Sequence, residues 1–210
     1  MKSYLTVSGE ACGEYTEKRS RFIATLRRCE NEEQAAAFLA EMRSKYWDAR
    51  HNVFACVLNE NSLKRFSDDG EPHGTAGKPV LDVIEGAGLA DTAVVVTRYF
   101  GGVLLGTGGL VRAYSAAAKA AVEAAEKVLM TPCTVYSTVC TYADHTRIVN
   151  LIEKHGGAVQ NTDFGAEIKL EYYFKQESAE GYLRDLSETF SARLSAEAVC
   201  EKMLPMKTEG

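Results

Sequence analysis

The sequence predicts two α+β domains, residues 1–130 and 131–210, the second a ferredoxin-like βαββαβ domain. Three observations carry this. The chain has 210 residues, 46% of them hydrophobic and 25% charged, which suits folded domains with real cores rather than a disordered or fibrous chain. From Thr134 onward the pattern runs strand, helix, strand, strand, helix, strand. Thr131-Pro132 follows a long helical pattern and reads as the break between the halves.

Taken in order, Tyr4–Glu17 and Arg21–Cys29 carry β-branched and aromatic residues in partial alternation, with the polar turn 17–20 between them as in a hairpin. Asn31-Glu32-Glu33-Gln34 has the form of a capping box and starts a helix running to about Tyr46, with Phe38, Leu39 and Met42 as its apolar stripe. His51–Leu58 reads as a strand followed by a polar loop through His73. Pro79–Glu85 reads as a short helix with Val80, Val83 and Ile84 inward, ended at Gly86 and Gly88. The apolar run Ala93–Thr97 is expected of a strand covered on both faces. Leu110, Tyr114, Ala117, Ala121, Ala124 and Val128 then recur at helical spacing, opposite Arg112, Lys119, Glu123 and Lys127.

In the second half the predicted strands are Thr134–Tyr142, Val159–Phe164, Glu167–Phe174 and about Ala196–Met203. The helices are Asp144–His155 and about Ser178–Phe190. Ile168, Leu170, Tyr172 and Phe174 alternate with Glu167, Lys169, Glu171 and Tyr173, as in a sheet with one buried and one wet face.

Net charge is −5, which argues against a protein that coats nucleic acid through general positive potential. The acidity is uneven: 16 basic against 17 acidic residues through Met130, then 8 against 12. Any polyanion site must be local. The six cysteines are scattered without a C-x-x-C pair, so reduced thiols are expected and no metal is assigned to them. No apolar run approaches the roughly 18 residues that span a bilayer, and the start has no signal core, so no membrane and a cytoplasmic location are expected.

Two segments concentrate chemistry. Gly101, Gly102, Gly106, Gly108 and Gly109 lie between a buried strand and a long helix, with Arg98 before them and Arg112 after. Glycines let backbone amides approach a ligand, and a helix N-terminus adds free N–H groups, so this is a candidate phosphate or nucleic-acid site. It lacks the Lys-Ser/Thr of a P-loop and a full G-x-G-x-x-G. The alternative is a tight turn packed on the sheet.

The other segment, Ser67–Pro79, packs Asp68, Asp69, Glu71, His73, Thr75 and Lys78 into thirteen positions, with His51 a further contributor. Its carboxylates could hold a divalent cation or supply a general base; the alternative is a rigid turn whose acids pair with Arg50, Lys64, Arg65, Arg98 or Arg112, and pairing to the arginine turn would explain both clusters at once. Thr75 or Thr107 with His51 or His73 would be a nucleophile and base, although no nucleophile elbow is present. The hairpin cations Lys18, Arg19, Arg21, Arg27 and Arg28, beside Tyr15 and Phe22, are candidate RNA-backbone contacts.

The blocks Asp68-Asp69-Gly70-Glu71-Pro72-His73-Gly74-Thr75-Ala76-Gly77-Lys78-Pro79 and Val95–Gly102 through Gly109–Tyr114, preceded by Asp48-Ala49-Arg50-His51, resemble the signature of the IMPACT/YigZ family. The resemblance covers Tyr4 to about Val128, and the rest is similar to the small C-terminal domain of bacterial YigZ-type members. It implies a first domain with the fold of ribosomal protein S-five domain two and a second similar to elongation factor G domain five. Eukaryotic members regulate translation through an initiation-factor kinase and carry an extra N-terminal protein-binding module, so the resemblance does not by itself transfer that mechanism.

The expected function is therefore a non-enzymatic binding protein connected with translation, with RNA or ribosome as partner. Arg98, the glycine turn and Arg112 would bind phosphate, while His51, Asp68, Asp69, Glu71, His73, Thr75 and Lys78 shape the pocket. No catalytic residue, metal or cofactor is assigned. A metal-assisted hydrolase and a protein-binding adaptor are the alternatives, and the sequence leaves the oligomeric state undetermined.

Overall fold

The computed structural model describes residues 2–59, 62–176 and 178–206. Residues 60–61 of the predicted loop after Leu58, and the ends of both predicted domains at residues 1 and 207–210, lie outside the described residues. The chain divides into two compact units, Tyr4–Leu129 and Met130–Met206.

The first unit is built on the sheet order β2-β3-β6-β4-β5, antiparallel at every pairing. Its strands are β2 (Glu10–Glu17), β3 (Ser20–Arg28), β4 (His51–Leu58), β5 (Leu63–Ser67) and β6 (Thr92–Tyr99), preceded by β1 (Tyr4–Val7), which is not part of this sheet. The predicted strand Tyr4–Glu17 is divided at Ser8-Gly9, where Gly9 has a φ of +74°. Lys18 and Arg19, with φ of 46° and 67°, form the two-residue β2–β3 turn, whose twist matches that of the strands it joins. β5 falls in the segment predicted as loop. Its sequence Leu-Lys-Arg-Phe-Ser has a mostly exposed burial pattern, so it offers no hydrophobic alternation to read.

Helix α1 (Glu32–Lys45) covers one face and helices α2 (Gly77–Gly86) and α3 (Gly106–Ala124) the other. The Asn31 side chain accepts from the Gln34 amide at 2.9 Å, and the Gln34 side chain accepts from the Glu30 amide at 2.9 Å, one residue before the expected position. β6 lies at the centre. Val94 and Val96 face the α2/α3 layer with Phe22, Val53 and Tyr114, while Ala93 and Val95 face α1 with Phe38 and Met42. The two-sided burial predicted for this run is thus observed. α3 starts inside the glycine cluster and ends at Ala124, short of the predicted Val128.

The second unit has strand β7 (Lys127–Cys140), helix α4 (Tyr142–Lys154), strands β8 (Ala158–Phe164) and β9 (Ile168–Lys175), helix α5 (Ala179–Thr189) and strand β10 (Glu197–Met206). The sheet has five strands in the order β1-β7-β9-β8 with β10 also paired to β7, so the unit's own strands run β10-β7-β9-β8. Taken within the unit this is 4-1-3-2, the arrangement of a split βαβ pair, with α4 and α5 packed on Tyr136, Ile168, Leu170, Tyr172 and Phe174. The predicted division at Thr131-Pro132 falls beside the observed one between Leu129 and Met130, but these residues lie inside β7 rather than in a linker, with pairing to β9 beginning at Cys133.

Candidate functional site

One end of the first unit's sheet gathers the start of β4, the end of β6, the β2–β3 turn, the loop after β5 and the N-terminus of α3. Strand register explains the meeting: Arg98 of β6 is opposite His51 of β4 on one side and Phe22 of β3 on the other. The two chemically dense segments of the sequence therefore touch.

They touch through Glu71. Arg98 Nη1 donates to Glu71 Oε1 at 2.5 Å, with the two side chains 7% and 4% exposed. Tyr114 of α3 donates its hydroxyl to the same oxygen at 2.8 Å. Burial pushes the Tyr114 hydroxyl pKa far up, and the Glu71 charge adds to the rise. The Arg98 guanidinium also lies over the Phe22 and Phe100 rings, 5.5 and 5.6 Å from their centroids. His51 Nδ1 is 2.7 Å from the Asp69 carbonyl, which can only accept, so that nitrogen carries a proton and Nε2 is directed toward Glu71 at 3.9 Å.

The other loop groups are engaged in building the loop. Asp68 accepts from the amides of Gly74, Ala76 and Gly77 at 2.8, 3.1 and 2.8 Å. Burial alone would raise its pKa, but these three donors together hold it below the usual carboxylate range. Asp69 accepts from the Asn52 amide and from Arg43, each at 2.7 Å. The Thr75 hydroxyl is buried and donates to the Pro72 carbonyl at 2.7 Å.

These placements revise the sequence expectation for several residues. Arg98 is enclosed by Glu71 and two aromatic rings, so it is a structural cation at the centre of the fold's end rather than an open phosphate ligand. The His73 side chain is wholly exposed, 3.8 Å from Asp68. Lys78 lies on the outer side of α2 and pairs with Asp82. Among the described residues, no group of three or more His, Cys, Asp and Glu side chains is gathered in a metal-ligand arrangement.

What faces solvent is basic and aromatic. Gly101 allows the β2–β3 turn to press on the end of β6: a Cβ there would lie 2.1 Å from the Arg19 carbonyl carbon. Gly106, with φ +70°, turns the chain into α3, whose first residues Gly106, Thr107 and Gly108 are exposed. That N-terminus has no side-chain cap and no acidic residue in its first turn, so its amides are available to an anion. Among the described residues Lys18, Arg19, Arg50 and Arg112 have no carboxylate partner, whereas Asp48 is bonded to Tyr99 at 2.8 Å and Asp68, Asp69 and Glu71 are occupied as above. Trp47, 82% exposed, projects from the turn between α1 and β4, three residues before Arg50. Sequence reading missed Trp47 and Tyr114 as site residues, because only the register shows which aromatic side chains share this end with the cations.

A family model described as the IMPACT N-terminal domain matches residues 18–122, and one described as a domain of unknown function (DUF1949) matches residues 138–193. The IMPACT family member of Haemophilus influenzae is 38% identical over 197 residues, 92% of this chain and 96% of that protein. IMPACT family member YigZ of Escherichia coli is 41% identical over 73% of this chain and 76% of its own. A crystal structure of a hypothetical protein, 35% identical, superposes with a TM-score of 0.62 over 96% of this chain and 100% of that one.

Proposed function

The chain belongs to the IMPACT family, and from that premise we propose that it is an RNA-binding protein, acting on the ribosome in the regulation of translation, with the first unit as its RNA-facing part. The observation that carries the reading is the group of four cations, Lys18, Arg19, Arg50 and Arg112, unpaired among the described residues, at a sheet end that also bears the open N-terminus of α3 and the exposed Trp47. Cations alone serve any polyanion. Cations interleaved with exposed aromatic rings suit single-stranded or loop RNA, whose bases stack while its phosphates are neutralised.

Charge distribution supports a local rather than a general contact. The net charge is −5, so binding must rely on this concentration of positive groups, and the acids beside them already have partners, Asp68 within its loop and Asp69 and Glu71 on the neighbouring strands and helices. Arg98 supports the site indirectly, by tying the 68–76 loop to β6.

The test is equilibrium binding of the full chain to ribosomal particles, to a structured RNA and to a single-stranded RNA across a salt series, with Arg50→Ala/Arg112→Ala as control. Salt-sensitive binding that the control loses is the expected result. No binding at low salt, or binding unchanged in the control, overturns the proposal.

A further inference from the structure

The turn between β6 and α3 holds out two apolar side chains that the cation group does not account for. Leu104 is 83% exposed and Val103 42%. A single exposed apolar side chain is ordinary, but this turn is fixed at both ends. Before the pair, the Gly101 amide donates to the Ser20 hydroxyl at 3.1 Å, and the Arg19 backbone fills the space that a Cβ on Gly101 would need. After the pair, Leu105 packs on the core, with its Cβ 3.0 Å from where one on Gly109 would stand. Gly102 and Gly106, with φ of 82° and 70°, turn the chain out and back between these anchors. A leucine presented in this way meets a ligand with its ordering cost already met.

Charge chooses the ligand, because the anchors carry the cations. The β2–β3 turn of Lys18 and Arg19 lies against Gly101, and Arg112 Nη1 stands 3.6 Å from the position of a Cβ on Gly108, in the first turn of α3. From Arg98 to Arg112 the chain contains no aspartate or glutamate. An apolar projection between such cations is complementary to a polyanion with an apolar interior. RNA has that form, with phosphates outside and base faces between them. Apolar side chains enter a base step by unstacking it, and the cost is least where stacking is already broken. A uniform A-form duplex offers no such step, and its major groove is too narrow for side chains to read. An anionic bilayer suits the turn less well, since two side chains bury little apolar area and the net charge of −5 opposes approach.

Resting on the RNA-binding reading of this end, we propose that Leu104, supported by Val103, is a wedge that enters an unstacked step of RNA, so that the class of RNA recognised is one with a bulge or a helix–loop junction. Lys18, Arg19 and Arg112 hold the phosphates around the opened step.

The experiment measures binding of the full chain to a blunt RNA duplex, to the same duplex with a single-nucleotide bulge and a fluorescent purine analogue beside it, and to vesicles of phosphatidylcholine and phosphatidylserine. The bulged duplex binds about tenfold more tightly than the blunt one, as burial of a leucine side chain allows, and the analogue brightens as its step opens. Leu104→Ser, at a position too exposed to matter to the core, removes both the preference and the brightening, while Leu104→Met keeps them. Salt-sensitive binding to the blunt duplex is the same in all three proteins. Equal affinity for the two duplexes, or a Leu104→Ser variant that still prefers the bulge, overturns the wedge and leaves the RNA-binding reading standing. Absence of salt-sensitive binding to any RNA removes both. Vesicle binding that depends on Leu104, without a preference for the bulge, overturns the proposal and gives the turn to a membrane surface.

Discussion

Glu71 and Arg98 form an ion pair at 2.5 Å with 4% and 7% of their side chains exposed, joining a loop after β5 to the end of the central strand. Removing one partner strands the other charge away from water. Arg98→Met and Glu71→Gln are each expected to destabilise the first unit by about 3–5 kcal/mol, since a broken buried pair leaves an uncompensated ion or donor. The double variant is expected to cost less than the sum, because the carboxamide introduced by Glu71→Gln still offers Tyr114 an acceptor and no buried cation remains. Urea midpoints of the four proteins form the cycle. Strict additivity would show that the pair does not couple the loop to the strand.

Gly101→Ala tests how closely the hairpin turn approaches. The added Cβ would lie 2.1 Å from the Arg19 carbonyl carbon and 2.3 Å from its oxygen, and both are backbone atoms that cannot swing aside. Displacing the turn is expected to cost about 1–3 kcal/mol. Gly86→Ala, whose Cβ meets nothing within 4 Å, serves as control and should be near neutral or mildly stabilising. Equal denaturation midpoints for the two variants would refute the close approach.

The outcome for sequence reading follows from the range of each determinant. Local determinants were legible: the Asn31 cap, the two-sided apolar run of β6, the alternation of Ile168 to Phe174, and the family signature with its two folds' worth of α and β elements. β5 was not, because an edge strand that is mostly exposed shows no alternation. Pro132 marked the division between the units closely but gave no sign that one strand, β7, runs through it, because it lies before the start of the β7–β9 ladder. At the site, a link between the acidic and arginine-rich blocks was legible as an option. That Arg98 is consumed by it while Arg50 and Arg112 have no carboxylate partner among the described residues depends on register, which sequence spacing does not disclose.

Asp68 predicts an acid-side stability loss. Its pKa in the folded protein is below the ordinary carboxylate value, because three backbone amides outweigh the cost of burial. The folded state thus holds fewer protons on this group than the unfolded chain. Its contribution is present above the unfolded pKa, about 3.9, and is lost as pH falls through the lower folded value. Asp68→Asn is expected to be about 2 kcal/mol less stable at neutral pH, through weakened charge-assisted bonds. As pH falls through the folded value the two proteins should converge. Parallel stability curves across that window would show that the amides do not favour the ionised form.

The basic end should separate charge from stacking in one set of measurements. Each phosphate contact releases counterions, so removing one cation lowers the slope of log affinity against log salt by about 0.7 for a single strand. Arg50→Ala and Arg112→Ala are each expected to reduce the slope by about that amount and to weaken binding of all RNA sequences alike. Trp47→Phe retains a ring, whereas Trp47→Ala removes one that is 82% exposed and therefore has little role in the core. The alanine variant is expected to lose about 1–3 kcal/mol of binding with the salt slope unchanged, since stacking displaces no ions. As the only tryptophan of the chain, Trp47 also reports the event directly through its fluorescence on RNA addition. A salt slope that fell in Trp47→Ala but not in the arginine variants would place the phosphate contacts elsewhere on the molecule.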